Sequence, residues 1–429
     1  MGSTVDESGG AMTLGGLEGG FASRWRRAYG ELGRKLPMLC ARAKPTLAGF
    51  SACVDKVVDL HALAPELTNS TDHGARSFLD DMLGRALGGR GGETLVNWPN
   101  GPAFLDRFVK PGAMSLGGTS AQAAWTLATI GAPAILALED RSCDQLEVLH
   151  PGIQFVDVRG NLVNTPDLIP AGTGRPAHYI VEYFAGRPLN GFKPNRSTRI
   201  IVRFADEDIE HDSDFLAYAR AHAAECGPAL LSSPNAIPPT HFNTVLGELK
   251  AAASDWSSSG IGMIHLELGD YARPGTRDAA VSCLAPVVTS LGLNLHELDG
   301  FNLPGGSPAT RALELAYRLG VARLAVHADN WALAAVRGDP DREREALMLG
   351  CLLASARAAA GKPVARPAVP EKAEFTAMSG PEIESRPGGW NIISVPAPFL
   401  PAPVSTLGLG DTFTAGTMLA YAQPGDQNG

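Results

Sequence analysis

Apolar and polar positions along the chain fall into two repeating kinds of segment. Short apolar runs that close on Gly, Asp or Glu read as buried strands, and stretches with apolar residues three or four apart read as helices. TLAGFSACVD (46–55), GAPAILALE (131–139), IGMIHLELGD (261–270) and VARLAVHAD (321–329) are of the first kind. AQAAWTLATI (121–130) and DREREALMLGCLLASARAAAG (341–361) are of the second, the latter with acidic residues near its start, where they suit the helix dipole. Strands alternating with helices predict an α/β fold in which helices cover both faces of a mostly parallel sheet. Two stretches break the scheme. Residues 56–110 hold the glycine-rich LGGRGGETLVNWPNGP, and 181–204 read as antiparallel strands. Both are expected to build a smaller β-rich lid. The large body is then 21–55, 111–180 and 205–429, behind a glycine-rich tail (1–20) expected to be disordered.

Composition narrows the class. The chain has 429 residues, 45% of them hydrophobic, which is enough for one large domain and a smaller one. Its formal charge is −9, from 36 Lys and Arg against 45 Asp and Glu, with no long basic run. That argues against non-specific binding to nucleic acid and leaves room for a local cationic pocket. No apolar run reaches the roughly 18 residues of a membrane span, and the N-terminus lacks the pattern of a secretory signal. A cytoplasmic protein is expected, a monomer in preference to a dimer. The six cysteines are scattered without a CxxC pair, so indifferent thiols are favoured over disulfides or a zinc site.

The strongest chemical signal is STLGLGDTFTAGTMLAYA (405–422). Gly408 and Gly410 form a turn that runs into a helix, so backbone amides and the helix dipole converge on one spot suited to a phosphoryl group. Asp411 then stands where it can take a proton from an attacking hydroxyl. As part of GxGDTFTAG, it resembles the signature of the ribokinase-like carbohydrate kinases. SLGLNLHELDG (290–300), with Asn294 and Glu297 in an NxxE spacing, and IHLELGD, with His265 and Glu267 in an HxE spacing, resemble the ADP-dependent branch of sugar kinases. That resemblance implies a three-layer α/β/α core with a lid. It also implies Asp411 as catalytic base, with Glu267, Glu297 and Asp411 around Mg²⁺ or another divalent cation. Asn294, His327, Ala328, Leu400 and Gly410 would lie along the nucleotide, with ADP as donor. One arginine of PNRSTRIIVRFAD (194–206) would reach the nucleotide phosphates. Arg199 is preferred over Arg196, and the remaining arginines, Arg203 among them, are expected to be solvated.

On the acceptor side, the resemblance assigns Asp55 to grip sugar hydroxyls, Gly117, Gly118 and Thr119 to the turn beneath the sugar, and His178 to a sugar contact. Where the branch usually has asparagines just before the aspartate, this chain has Ser51 and Cys53, and where it has Gln or Asn, Thr119. Those departures leave the sugar open. Glu93 resembles a lid glutamate that would repel a phosphorylated acceptor and bond a free hydroxyl, which favours glucose. Fructose 6-phosphate, another sugar or a nucleoside as acceptor, and ATP as donor, remain alternatives. So does a non-catalytic binding protein of the same fold.

Overall fold

Successive side chains of a strand point to opposite faces, so strands apolar at every position demand cover on both sides. The computed structural model describes residues 14–424 except positions 272 and 377. Its strands in chain order are β1 (Thr46–Gly49), β2 (Cys53–Asp59), β3 (Gly92–Leu95), β4 (Met114–Gly117), β5 (Ala134–Leu136), β6 (Gln154–Val156), β7 (Leu162–Asn164) and β8 (His178–Tyr183). There follow β9 (Thr198–Arg203), β10 (Ala229–Ser232), β11 (Ile264–Glu267), β12 (Ser290–Asn294), β13 (Arg323–His327), β14 (Trp331–Val336), β15 (Ile383–Arg386) and β16 (Trp390–Pro396). Eleven form one sheet, ordered β15-β16-β14-β13-β12-β11-β10-β1-β5-β6-β7, parallel from β13 through β6. Leu47, Leu231 and Leu324 face one core, with helices Ser213–Ala221, Phe242–Ser258, Thr276–Leu284 and Pro308–Leu319. Their neighbours Ala48, Leu230 and Ala325 face the other, with helices Leu14–Arg42, Thr119–Ile130, Pro340–Ala360 and Leu409–Tyr421. This is the expected α/β architecture of helices on both faces.

The last two helices pack unusually close. A Cβ on Gly416 would come 2.5 Å from the Gly350 nitrogen, and one on Gly350 would come 2.7 Å from the Phe413 carbonyl. Glycine at both positions lets the backbones meet, which sets the start of the C-terminal helix against the sheet edge.

The second sheet, β3-β9-β8-β2-β4, has its own core under helices Leu60–Asn69 and His73–Leu87. It takes in residues 53–55, 114–117 and 178–180, which the sequence reading gave to the large body. The run 46–55 is therefore two strands in different sheets, with Phe50–Ala52 the crossing. The expected tail also needs correction. Residues 1–13 lie outside the described residues, but Leu14 already belongs to a helix that runs to Arg42. Trp25, Tyr29, Leu32, Leu36 and Leu39 recur at helical spacing and are buried, and Tyr29 donates from its hydroxyl to the Pro396 carbonyl at 2.7 Å. Among the described residues no helix is long and apolar enough to cross a membrane, and all six cysteines are free thiols.

Candidate active site

Parallel strands bring their carboxyl ends to one edge, and the polar residues that end them gather there. Ser232, Glu267, Asn294 and His327 end β10, β11, β12 and β13. The C-terminal helix starts beside them. Gly408 caps it at φ +65°, and a Cβ there would meet Arg357 Nη2 at 2.5 Å, so glycine is required twice over. Asp411 is not the cap; it sits at the third helical position. A cleft of about 1150 Å³ runs from this edge to the second sheet. Asp55, Glu93, Gly118, Thr119, His178, Arg199, Glu267, Asn294, Glu297, His327, Ala328, Leu400, Gly408, Gly410 and Asp411 all line it. Of the expected residues only Gly117 does not. It lies behind Asp55, where a Cβ would overlap the Asp55 carboxylate.

Burial raises the Asp411 carboxyl, while Arg357, Arg199 and a hydrogen bond from the Thr119 hydroxyl oppose that rise; the balance remains above the ordinary aspartate value. Two cations and a hydroxyl thus converge on a carboxylate that can exchange a proton. Arg357 is 1% exposed and donates to Thr412 Oγ1 at 2.9 Å, bracing the turn from beneath. Nothing in the Ala-rich run around it signals this, because the contact spans 55 residues.

Glu267 is 5% exposed, and its Oε2 accepts from His265 Nε2 at 2.8 Å and Thr414 Oγ1 at 2.9 Å. Burial works against its charge, but the hydrogen bond from His265 and the His327 ring 3.6 Å away prevail and hold it down at about 2. His265 in turn meets Ser290 through Nδ1 at 2.8 Å. Asn294 and Glu297 form a capping box: the Glu297 amide donates to Asn294 Oδ1 at 2.9 Å, and the Asn294 amide donates to Glu297 Oε2 at 2.8 Å. The NxxE spacing therefore has a structural task as well, and it leaves Asn294 Nδ2 and Glu297 Oε1 unengaged among the described residues. Burial first, then Asp270 and Glu267, push the Glu297 carboxyl well above its usual range. Two buried carboxylates with an oxygen to spare are a donor set that fits a hard divalent cation.

The arginines separate cleanly. Arg196 is half exposed and pairs with Asp329 at 2.9 Å, whereas Arg199 bears electrostatically on Asp411 and Glu297. Arg203 corrects the expectation of solvation. It is 2% exposed, because it forms an ion pair with Glu93 and donates to the Ala236 carbonyl at 3.3 Å.

At the second sheet, parallel register sets Asp55 opposite His178. Burial pushes the Asp55 carboxyl up to about 6, against the pull of His178 and with a further push from Asp411. Burial disfavours a charged His178, yet Glu207, Asp55 and Glu93 together raise it to about 9. Asn235 donates to Glu93 Oε2 at 2.7 Å and to the Asp270 carbonyl at 2.9 Å, and Ser405 Oγ donates to Glu182 at 2.8 Å. These bonds tie the second sheet to loops of the large one. Ser51 is occupied elsewhere, in a hydroxyl cluster with Ser232 at 2.6 Å.

A glycine turn at a helix start, a buried carboxylate and flanking arginines suit a phosphotransferase. No curated protein matches the chain by sequence. The fold matches the reconstructed last common ancestor of ADP-dependent phosphofructokinases from Methanosarcinales, at TM-score 0.69 and 15% identity over 95% of this chain and 99% of that one. It also matches an ADP-dependent kinase in complex with fructose 6-phosphate and ADPβS, at TM-score 0.76, 16% identity and the same coverage. A hypothetical ADP-dependent phosphofructokinase from Pyrococcus horikoshii follows at TM-score 0.68 and 18% identity, over 89% and 98%. Residues 44–303, more than half the chain, match the conserved region of the ADP-specific phosphofructokinases and glucokinases. The chain belongs to that family of ADP-dependent carbohydrate kinases.

Proposed function

We propose that this kinase transfers the terminal phosphoryl group of ADP to a hydroxyl of an unphosphorylated hexose, glucose in the first place. The observation that carries the reading is the convergence of Arg357, Arg199 and Thr119 on Asp411 at the glycine turn. ADP lies along the carboxyl edge of the large sheet, past Asn294, His327, Ala328 and Leu400. The acceptor lies against the second sheet, which serves as the lid, with Asp55 gripping its hydroxyls, His178 and Glu93 beside it, and Gly118 beneath. Asp411 takes the proton of the attacking hydroxyl. The amides of the Gly408–Asp411 turn and Arg199 receive the negative charge that builds on the phosphoryl oxygens. Glu267 and Glu297 would hold Mg²⁺, and when bound it neutralises charge on the donor. Thr119 and Arg357 orient Asp411. Contacts between lid and core, among them Glu93 with Asn235, exclude water and so suppress hydrolysis of the donor.

Charge supports a neutral acceptor. Asp55, Glu93 and Glu207 crowd its pocket, and two of the nearby cations, His178 in the cleft and Arg203 behind Glu93, already face carboxylates. A sugar phosphate would meet net negative charge. Fructose 6-phosphate is the second reading, favoured by Arg85 and Arg90 in the same cleft and by the acceptor bound in the similar kinase complex. The test crosses ADP and ATP against glucose and fructose 6-phosphate with Mg²⁺. Turnover of ADP with glucose is expected. Turnover only with fructose 6-phosphate would overturn the acceptor, and turnover only with ATP the donor.

A further inference from the structure

Cys53, Asp55 and His178 share one face of the second sheet, since 53 and 55 alternate with 54 and β8 sets His178 opposite Asp55. Cys53 Sγ stands 3.5 Å from His178 Nδ1 and 3.7 Å from Asp55 Oδ1, and Asp55 Oδ1 stands 3.7 Å from His178 Nδ1. A tetrahedral zinc ion with Zn–S of about 2.3 Å and Zn–N or Zn–O of about 2.1 Å holds its ligand atoms roughly 3.4 to 3.6 Å apart. The three side chains therefore lie close to one face of such a tetrahedron, and small side-chain rotations close the remaining gap.

Two further features fit. The other ring nitrogen of His178, Nε2, is held by the Glu207 carboxylate, the outer partner that metal-bound histidines characteristically have. Gly117 faces the cluster across β4, and a Cβ there would overlap Asp55 Oδ1 and stand 2.6 Å from Cys53 Sγ, so glycine keeps the space clear. All three candidate ligands line the cleft, which leaves the fourth position open to water or a small ligand.

We propose that the acceptor pocket is also a binding site for a thiophilic divalent cation of the zinc class, held by Cys53, Asp55 and His178, and that its occupation excludes the acceptor. The exclusion rests on the reading of Asp55 as the residue that grips the acceptor; the binding does not. A thiol and an imidazole select zinc over magnesium, whose oxygen donors lie at the other end of the cleft. On binding, Cys53 releases its thiol proton and His178 its Nδ1 proton to solvent, leaving a thiolate and a neutral ring as ligands. Glu207 is a positioning residue for His178.

The test uses the full chain without nucleotide or acceptor. Titration with Cd²⁺ should raise an ultraviolet thiolate-to-metal charge-transfer band that saturates at a single equivalent, and Zn²⁺ should raise the melting temperature. The band should vanish in Cys53→Asn, and the affinity should fall roughly 10–100-fold in Glu207→Gln. No band in the wild type, or an undiminished band in both Cys53→Asn and His178→Gln, overturns the site. In turnover assays with an acceptor the enzyme uses, Zn²⁺ should raise KM for the acceptor and leave kcat unchanged. Zinc inhibition relieved by added ADP but not by added acceptor overturns the exclusion. The spectral arm needs no turnover, so failure of the metal site and failure of the kinase reading register separately.

Discussion

Gly292 offers a one-methyl test of the donor end of the site. It lies on β12 directly opposite Glu267 on β11. In Gly292→Ala the new Cβ would overlap Glu267 Oε2 and stand 2.6 Å from His265 Nε2. Neither neighbour can yield freely, because Glu267 is held by Thr414 and His265, and His265 by Ser290. Displacing the carboxylate forfeits two charge-assisted hydrogen bonds, each contributing about 1.5–3 kcal/mol, so a loss of about 3–5 kcal/mol is expected after partial relaxation. Thermal unfolding should fall by several degrees. The Mg²⁺ concentration for half-maximal turnover should rise at least about tenfold, since only about 1.4 kcal/mol of misplacement is needed for that. Gly247→Ala is the control: nothing lies within 4 Å of a Cβ there, on the helix Phe242–Ser258, and it should stabilise by about 0.4–1 kcal/mol. A Gly292→Ala enzyme with wild-type melting and wild-type Mg²⁺ dependence would refute the placement of Glu267 as a held metal ligand.

Other parts of the account are open to equally direct measurement. Arg199→Ala should lower turnover by about 10²–10³-fold, as loss of a charge-stabilising donor does. Arg196→Ala should change it only a few-fold, because its pair with Asp329 is exposed. Equal losses would contradict the preference for Arg199 over Arg196 as the phosphate contact. On the acid side, the proposed grip of Asp55 on two acceptor hydroxyls is strongest when both its oxygens accept as a carboxylate, and its carboxyl is raised to about 6. The ratio kcat/KM for the acceptor should therefore decline as the pH falls through about 6; a profile flat down to about pH 4 would place Asp55 in the ordinary carboxylate range. Away from the cleft, Arg323 and Glu343 form a buried bidentate pair at 2.8 and 2.9 Å. Glu343→Ala should cost about 3–5 kcal/mol of stability by leaving the arginine uncompensated, and a loss below about 1 kcal/mol in denaturant unfolding would contradict that.

The fold was largely legible because periodicity carries it. The runs at 131–139, 261–270 and 321–329 became β5, β11 and β13, and the helices near 121–130 and 341–361 formed within a few residues of their expected bounds. The switch of sheets at Phe50–Ala52 was not legible, since an apolar run looks alike whichever sheet receives it. The opening helix was obscured by glycines around the first apolar repeats. Within the cleft, the residues brought together were those carried by local motifs: Asp411 after its glycines, Glu267 after His265, and Glu297 after Asn294. The residues that escaped act at long range. Arg357 reaches the turn from the preceding helix, Glu207 reaches His178 from a loop, and Asn235 joins Glu93 from the loop after β10. The NxxE spacing carried its own clue, because Asn followed three residues later by Glu is also the signature of a capping box. Arg203 misled because a cation at a strand end is ordinarily solvated, and only the fold reveals that Glu93 buries it.

The central claim is that Asp411, at the glycine turn, accepts the proton of the attacking hydroxyl. The most direct measurement is single-turnover phosphoryl transfer from ADP to glucose by Asp411→Asn, alongside calorimetric titration of both ligands. The account predicts a loss of about 10²–10⁴-fold in the transfer step with binding of ADP and glucose retained. Transfer at the wild-type rate, with binding equally intact, would contradict it.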